Sequence, residues 1–168
     1  MPIIRHTDIT PHKSSTDPRK AVAHGLRLLS HWPRTECDLR NRLEQRFTTS
    51  TTTSALQRLR ELGYVNDYAW ATAYLESSRA SLRSSWLLRQ ELRAKGVAPE
   101  IAADVTSLHD DNQAALAAAR AAIRKLSSNR KNQARSFDQR LYKSLVRRGF
   151  DSTTIQHAFS QLQAENSP

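Results

Sequence analysis

Apolar residues recur along this chain at intervals of three and four, the spacing that lines one face of an α-helix. Leu39 and Leu43, Leu88 and Leu92, and Leu141 and Leu145 each form a Leu-x-x-x-Leu pair. A second helical stretch follows each pair: Leu56 and Leu59 after the first, Ile101, Val105 and Leu108 after the second, and Ile155, Phe159 and Leu162 after the third. A further helix precedes each pair, over about 18–31, 67–82 and 110–126. Its apolar positions are Val22, Leu26 and Leu29, then Trp70, Ala73 and Tyr74, then Leu116, Ala119, Ile123 and Leu126. The pattern predicts an all-α protein of three tandem three-helix repeats, forming an elongated, curved, solenoid-like array. The expected repeats span 18–63, 64–109 and 110–163, between a disordered N-terminal tail (1–17) and a short C-terminal tail (164–168). One such unit buries little apolar surface, so stacking of neighbours is expected to supply the rest.

Helix ends are legible in the same stretch. Gly63, Gly96 and Gly149 each follow a helical run and precede an apolar residue, Tyr64, Val97 or Phe150. That order fits a left-handed helix stop with an apolar contact behind it. Asp17-Pro18, Thr35 with Asp38, Pro99-Glu100 and Asp151-Ser152 read as helix starts. The run Thr-Thr-Ser-Thr-Thr-Thr-Ser at 48–54 is expected to form a turn and a weak first helical turn, since hydroxyls cap helix starts.

Charge sharpens the picture. The 168 residues carry a formal net charge of +10, which calls for an anionic partner. The excess is local: residues 120–148 hold ten Lys or Arg against one acid, Asp138. No apolar run approaches the roughly 20 residues that cross a bilayer, so no membrane association is expected. The first 17 residues lack the apolar stretch of a signal peptide. Cys37 is the sole cysteine, which removes a disulfide framework and a thiolate zinc cluster. The six histidines show no zinc-like spacing with carboxylates, and no Gly-rich phosphate loop is present. The expectation is a cytoplasmic, monomeric binding protein, not an enzyme, with no cofactor, metal or catalytic residue.

Two helices offer binding surfaces. In helix 136–148, Phe137, Leu141 and Leu145 face inward, while Arg140, Lys143 and Arg147 form a basic stripe to which Arg148 adds. Such a stripe meets phosphates or an acidic protein groove, or else is a solvated face; the density of charge favours binding. In helix 84–95, Arg89 and Arg93 lie beside the inward leucines with Trp86 near the same side, and Lys95 follows them. A Trp beside two Arg stacks an unpaired base, or packs on the neighbouring repeat with an Arg over its face; the second reading is favoured. Arg130 and Lys131 fall on an expected loop that reaches phosphates. Trp70, Tyr74, Phe137 and Phe159 have core spacing.

Several motifs together resemble one family. The stretch Leu62-Gly63-Tyr64-Val65-Asn66-Asp67, continuing to Trp70, Ala71 and Tyr74, is similar to a signature of the RecX regulatory proteins, with Asn66 where an Asp is usual. Glu91-Leu92-Arg93-Ala94-Lys95-Gly96-Val97 resembles that family's Glu-Leu-x-x-Lys-Gly-Ile/Val. Leu145-Val146-Arg147-Arg148-Gly149-Phe150 and Arg34-Thr35-Glu36-Cys37-Asp38-Leu39 add to the likeness, which covers about residues 20–162. The first repeat departs from the pattern, with Arg46-Phe47-Thr48-Thr49 in place of a Lys-Gly-Phe stop. The resemblance implies a regulator that lies in the groove of the RecA recombinase filament on single-stranded DNA. It implies limits on filament growth, and inhibition of strand exchange and ATP hydrolysis.

Two other classes compete with that reading. A stand-alone basic helical DNA-binding protein would bind bare DNA with steep salt dependence. A helical scaffold would grip an unrelated protein through a concave face.

Overall fold

The computed structural model describes residues 15–77, 80–127 and 134–165. The described residues form nine α-helices, one 3-10 turn and no strand beyond an isolated bridge between Ser15 and Phe47. The chain divides into two compact units, residues 1–66 and 67–168.

The first unit holds α1 (Pro18–His31), α2 (Glu36–Glu44) and α3 (Thr49–Glu61). Asp17 caps α1 by accepting from the Arg19 and Lys20 N–H groups, with Pro18 in the first turn. Thr35 caps α2 by accepting from the Asp38 N–H. Leu39 and Leu43 of α2 join Ala55, Leu56 and Leu59 of α3 in one core, which Ala21 of α1 completes. Gly25 lets α1 approach α3 closely: a Cβ there would stand 2.7 Å from Leu59 Cδ1. The chain enters this unit before α1, since the Ser15 N–H donates to the Arg46 carbonyl and the Ser15 carbonyl accepts from the Thr48 N–H.

The atypical start of α3 is better ordered than its composition suggests. Thr48 caps the helix, and the whole run from Thr49 is regular helix rather than a weak turn. Thr51 and Thr52 are buried, and the Thr53 and Ser54 hydroxyls donate back to the carbonyls of Thr49 and Ser50. Back-bonding satisfies hydroxyls that would otherwise compete with the helix. The end of α2 needs no glycine. Phe47 is buried and its N–H donates to the Leu43 carbonyl, so an aromatic closes the core where Lys-Gly-Phe would have stood.

The second unit holds α4 (Asp67–Leu75), a 3-10 turn (Ala80–Leu82), α5 (Ser85–Ala94), α6 (Pro99–Val105), α7 (Asp111–Ser127), α8 (Ala134–Val146) and α9 (Ser152–Glu165). It contains two cores. Ala71, Leu92, Val97 and Ala102 make one, with Trp70 and Tyr74 packed against it. Leu141, Leu145, Phe150 and Ile155 make the other, on a bed of alanines from α7. The short alanine side chains let α7 lie close to both α8 and α9. In both halves of the unit the first helix packs on the third, as α1 packs on α3.

Several expectations from periodicity shift here. The helix expected over 67–82 stops at Leu75. Within it Ala71 is the buried alanine, and Ala73 is exposed. Leu108 is 95% exposed because α6 ends at Val105 and the helical period no longer applies. Thr106 takes the buried place instead, its hydroxyl donating to the Ala102 carbonyl. Gly63, Gly96 and Gly149 all have positive φ, and the N–H after each reaches back to the carbonyl five residues earlier. Val97 and Phe150 supply the apolar contact behind the stop, but Tyr64 is 58% exposed and Val65 is buried in its stead. The expected core roles of Leu126 and Phe137 fall on side chains outside those described.

Candidate anion-binding cleft

Helix α8 is fixed from two sides. Leu141 and Leu145 anchor its inner face, and the Gly149 turn locks its end by placing Phe150 in the same core. The outer face is thereby held in register. Arg140, Lys143, Arg147 and Arg148 line one cleft of about 630 Å³, which Lys125 of α7 joins. Tyr142 and Val146 complete it as exposed apolar residues, at 41% and 47% exposure. No acidic residue is among the described lining.

Arg148 is held by its own helix. Its Nη1 donates to the Ser144 carbonyl at 2.8 Å and to the Ser144 hydroxyl. Its pKa is lowered, first by burial and then by the charges of Arg147 and Arg83. A half-buried guanidinium pressed by like charges favours an anion nearby. Arg83 itself pairs with Glu91, which also accepts from the Tyr74 hydroxyl at 2.8 Å.

The candidates on α5 do not converge. Trp86 is 59% exposed and lies against the Gly149 turn, its Cε3 3.4 Å from where a Cβ would sit. Arg89 turns toward α6, its Nε donating to the Thr106 hydroxyl at 3.0 Å. Lys95 turns toward α4, with Nζ 6.0 Å from the Trp70 ring centroid and 5.9 Å from that of Tyr74. Those two rings stack at 5.4 Å. Arg93 is exposed. Arg130 and Lys131 lie outside the described residues. The structure thus gathers Arg140, Lys143, Arg147 and Arg148, and disperses Arg89, Arg93 and Lys95.

Sequence reasoning counted Lys125 only within the basic segment 120–148 and passed over Tyr142 and Val146. Tyr142 and Val146 are four residues apart, a helical row that could have been read as a second, outward apolar stripe. Among the described residues no group of three His, Cys, Asp or Glu is placed to hold a metal ion. No described helix is long and apolar enough to cross a membrane.

No family model matches the chain. Curated relatives do. Regulatory protein RecX of Prosthecochloris aestuarii is 29% identical over 151 residues, covering 89% of this chain and 97% of that protein. Regulatory protein RecX of Listeria monocytogenes serovar 1/2a is 24% identical over 165 residues, covering 97% of this chain. The crystal structure of RecX from Lactobacillus salivarius shares the fold, with a TM-score of 0.71, 20% identity, and coverage of 88% of this chain and 97% of that one. The chain is similar to the RecX regulatory proteins. A second RecX crystal structure has a TM-score of 0.72 at 24% identity, covering 85% of this chain and 71% of its own. The all-α architecture is therefore that of known RecX structures. This chain spans 61% of the length of the Listeria relative.

Proposed function

We propose that this chain regulates the RecA recombinase as a binding protein. It engages the RecA filament on single-stranded DNA, limits filament growth, and lowers strand exchange and ATP turnover. Each helix triplet acts as one repeat, over 18–63, 64–109 and 110–163. The observation that carries the reading is the cleft on α8, where cations from two helices line one space with no acid among the described lining residues. Similarity to proteins named as regulatory agrees with a chain that acts by binding. Arg89, Arg93, Lys95 and Trp86 belong to a secondary surface in this reading, and Arg130 and Lys131, outside the described residues, stay binding candidates by sequence alone.

The test is direct. RecA-driven strand exchange and ATP hydrolysis should fall when the chain is added at less than one copy per RecA protomer. No change at equal amounts would sink the reading. Arg140→Glu with Arg147→Glu should weaken filament binding while circular dichroism shows unchanged helix content. Full binding by that variant removes the cleft from the mechanism. Tight, salt-sensitive binding to bare duplex DNA with no effect on RecA would favour the stand-alone DNA-binding alternative.

A further inference from the structure

The two apolar cores of the second unit share no buried residue among those described. What ties α4–α6 to α7–α9 is largely polar. Three consecutive residues, Arg83 to Ser85, bond in turn to the α6–α7 linker, the end of α8 and the start of α7. The Arg83 carbonyl accepts from the His109 Nε2–H at 2.8 Å. The Ser84 N–H donates to the Arg148 carbonyl at 2.9 Å. The Ser85 N–H and hydroxyl donate to the Asp111 carboxylate at 2.7 and 3.0 Å. Just before them, Leu82 of the 3-10 turn packs on the α7–α9 core and makes a pivot.

An apolar seam parts only by exposing its whole area to water. A polar seam exchanges its bonds for bonds to water, and each bond contributes little net free energy. This seam therefore opens before either core does. We infer that residues 83–85 form a releasable joint about which α7–α9 swing against α4–α6, and that an anion held at Arg148 closes it. The second half of this inference rests on the anion-binding reading of the cleft.

Arg148 stands at both places. Its carbonyl is part of the joint, and its guanidinium lines the cleft while bonding to Ser144. Arg83, across the joint, acts on it as a like charge. Arg83 is held on its own side by Glu91, which the Tyr74 hydroxyl also holds. Like charges facing each other push the joint open, and an anion beside Arg148 offsets that push. By reciprocity, a closed joint binds the anion better. The closed seam is also tight: a Cβ at position 149 would meet Ser84 Oγ at 2.5 Å and Leu87 Cβ at 2.8 Å.

The experiment uses the full chain with Cys37→Ser and spin labels on Gln90→Cys of α5 and Gln156→Cys of α9, both exposed positions. Double electron–electron resonance reads the distance between them. Inorganic pyrophosphate, against sodium chloride of equal ionic strength, should narrow the distance distribution. The ratio of open to closed should fall roughly 5-fold or more. Arg148→Gln removes the push but keeps the carbonyl, so it should be closed without pyrophosphate and unresponsive to it. Glu91→Gln releases Arg83 and should broaden the distribution. Asp111→Ala should broaden it too, with helix content unchanged by circular dichroism. A second label pair, Gln113→Cys with Gln156→Cys, lies inside α7–α9 and should stay constant throughout. An Asp111→Ala distribution as narrow as the parent's overturns the joint. So does broadening of the second pair, which means that the helices themselves loosen. A pyrophosphate response that is absent from the parent, or that survives in Arg148→Gln, overturns the coupling. RecA inhibition by a chain whose joint ignores pyrophosphate sinks this inference alone. A joint closed by pyrophosphate in a chain that leaves RecA unaffected sinks the regulatory reading alone.

Discussion

Asp111, the first residue of α7, accepts from both the backbone N–H and the hydroxyl of Ser85, at 2.7 and 3.0 Å, across 26 residues of chain. Ser85 is the first residue of α5, whose N–H has no partner within its own helix. A carboxylate at that end also meets the positive pole of the helix dipole. Asp111 thus caps a helix other than its own, while Asp110 caps α7 by accepting from the Asn112 and Gln113 N–H groups. Asp111→Ala should therefore destabilise the chain by about 1–3 kcal/mol, with Asp111→Asn between it and the parent. Urea denaturation midpoints check this. Parent-like stability of the alanine variant would show that the pair contributes nothing.

The glycine stops should differ in tolerance. Gly149 has φ +83°, and a Cβ there would meet Ser84 Oγ at 2.5 Å and Leu87 Cβ at 2.8 Å. Gly149→Ala should cost about 2–4 kcal/mol, from left-handed strain plus overpacking. Gly63 has φ +76° and nothing within 4 Å of the same position. Gly63→Ala should cost only the strain, about 1–2 kcal/mol. Thermal unfolding of the two variants, side by side, reads the difference.

Asp151 gives a pH-dependent prediction. The Thr154 backbone N–H, then the Thr154 hydroxyl, hold its carboxyl below the ordinary value of 3.8. A carboxylate depressed in the folded state contributes stability above its unfolded pKa, and that contribution is lost as pH falls through the folded value. Asp151→Ala should cost about 1 kcal/mol at neutral pH as a lost cap. The gap from the parent should close as pH drops below 3.8. Asp151→Ser keeps an uncharged cap, so its stability relative to Asp151→Ala should not vary with pH over that range. Denaturation midpoints across the acid range decide the matter.

Two leucines of similar sequence appearance should behave oppositely. Leu141 is buried in the α7–α9 core, and Leu141→Ala should cost about 2–5 kcal/mol. Leu108 is almost fully exposed, and Leu108→Ala should stay within about 0.5 kcal/mol of the parent. A large loss at Leu108 would mean that the chain covers it in solution.

The contrast between these leucines shows where periodicity works. Inside a helix the three-four spacing reports burial, because geometry repeats every turn. That is why Leu39, Leu43, Leu88, Leu92, Leu141 and Leu145 are all buried as expected. Leu108 failed because the period carries no information past a helix end. Tyr64 failed because a left-handed stop fixes only the backbone; whether the first or second residue beyond it turns inward depends on what stands opposite. The basic stripe of Arg140, Lys143 and Arg147 could be read for the same reason as the leucines, since all three share one helix. Lys125 could not, because it reaches the cleft from another helix.

The order of apolar, capping and left-handed positions alone determined that this chain is helical, where most helices begin and end, and that charge concentrates near α8. Those are local properties, set by propensity, caps and a repeat of 3.6 residues. Tertiary structure alone decided that Asp111 serves α5, that Arg89 bonds Thr106, and that Tyr142 stands beside the cations. Each depends on which surfaces of distant segments meet, and packing of whole helices, not spacing along one of them, chooses that.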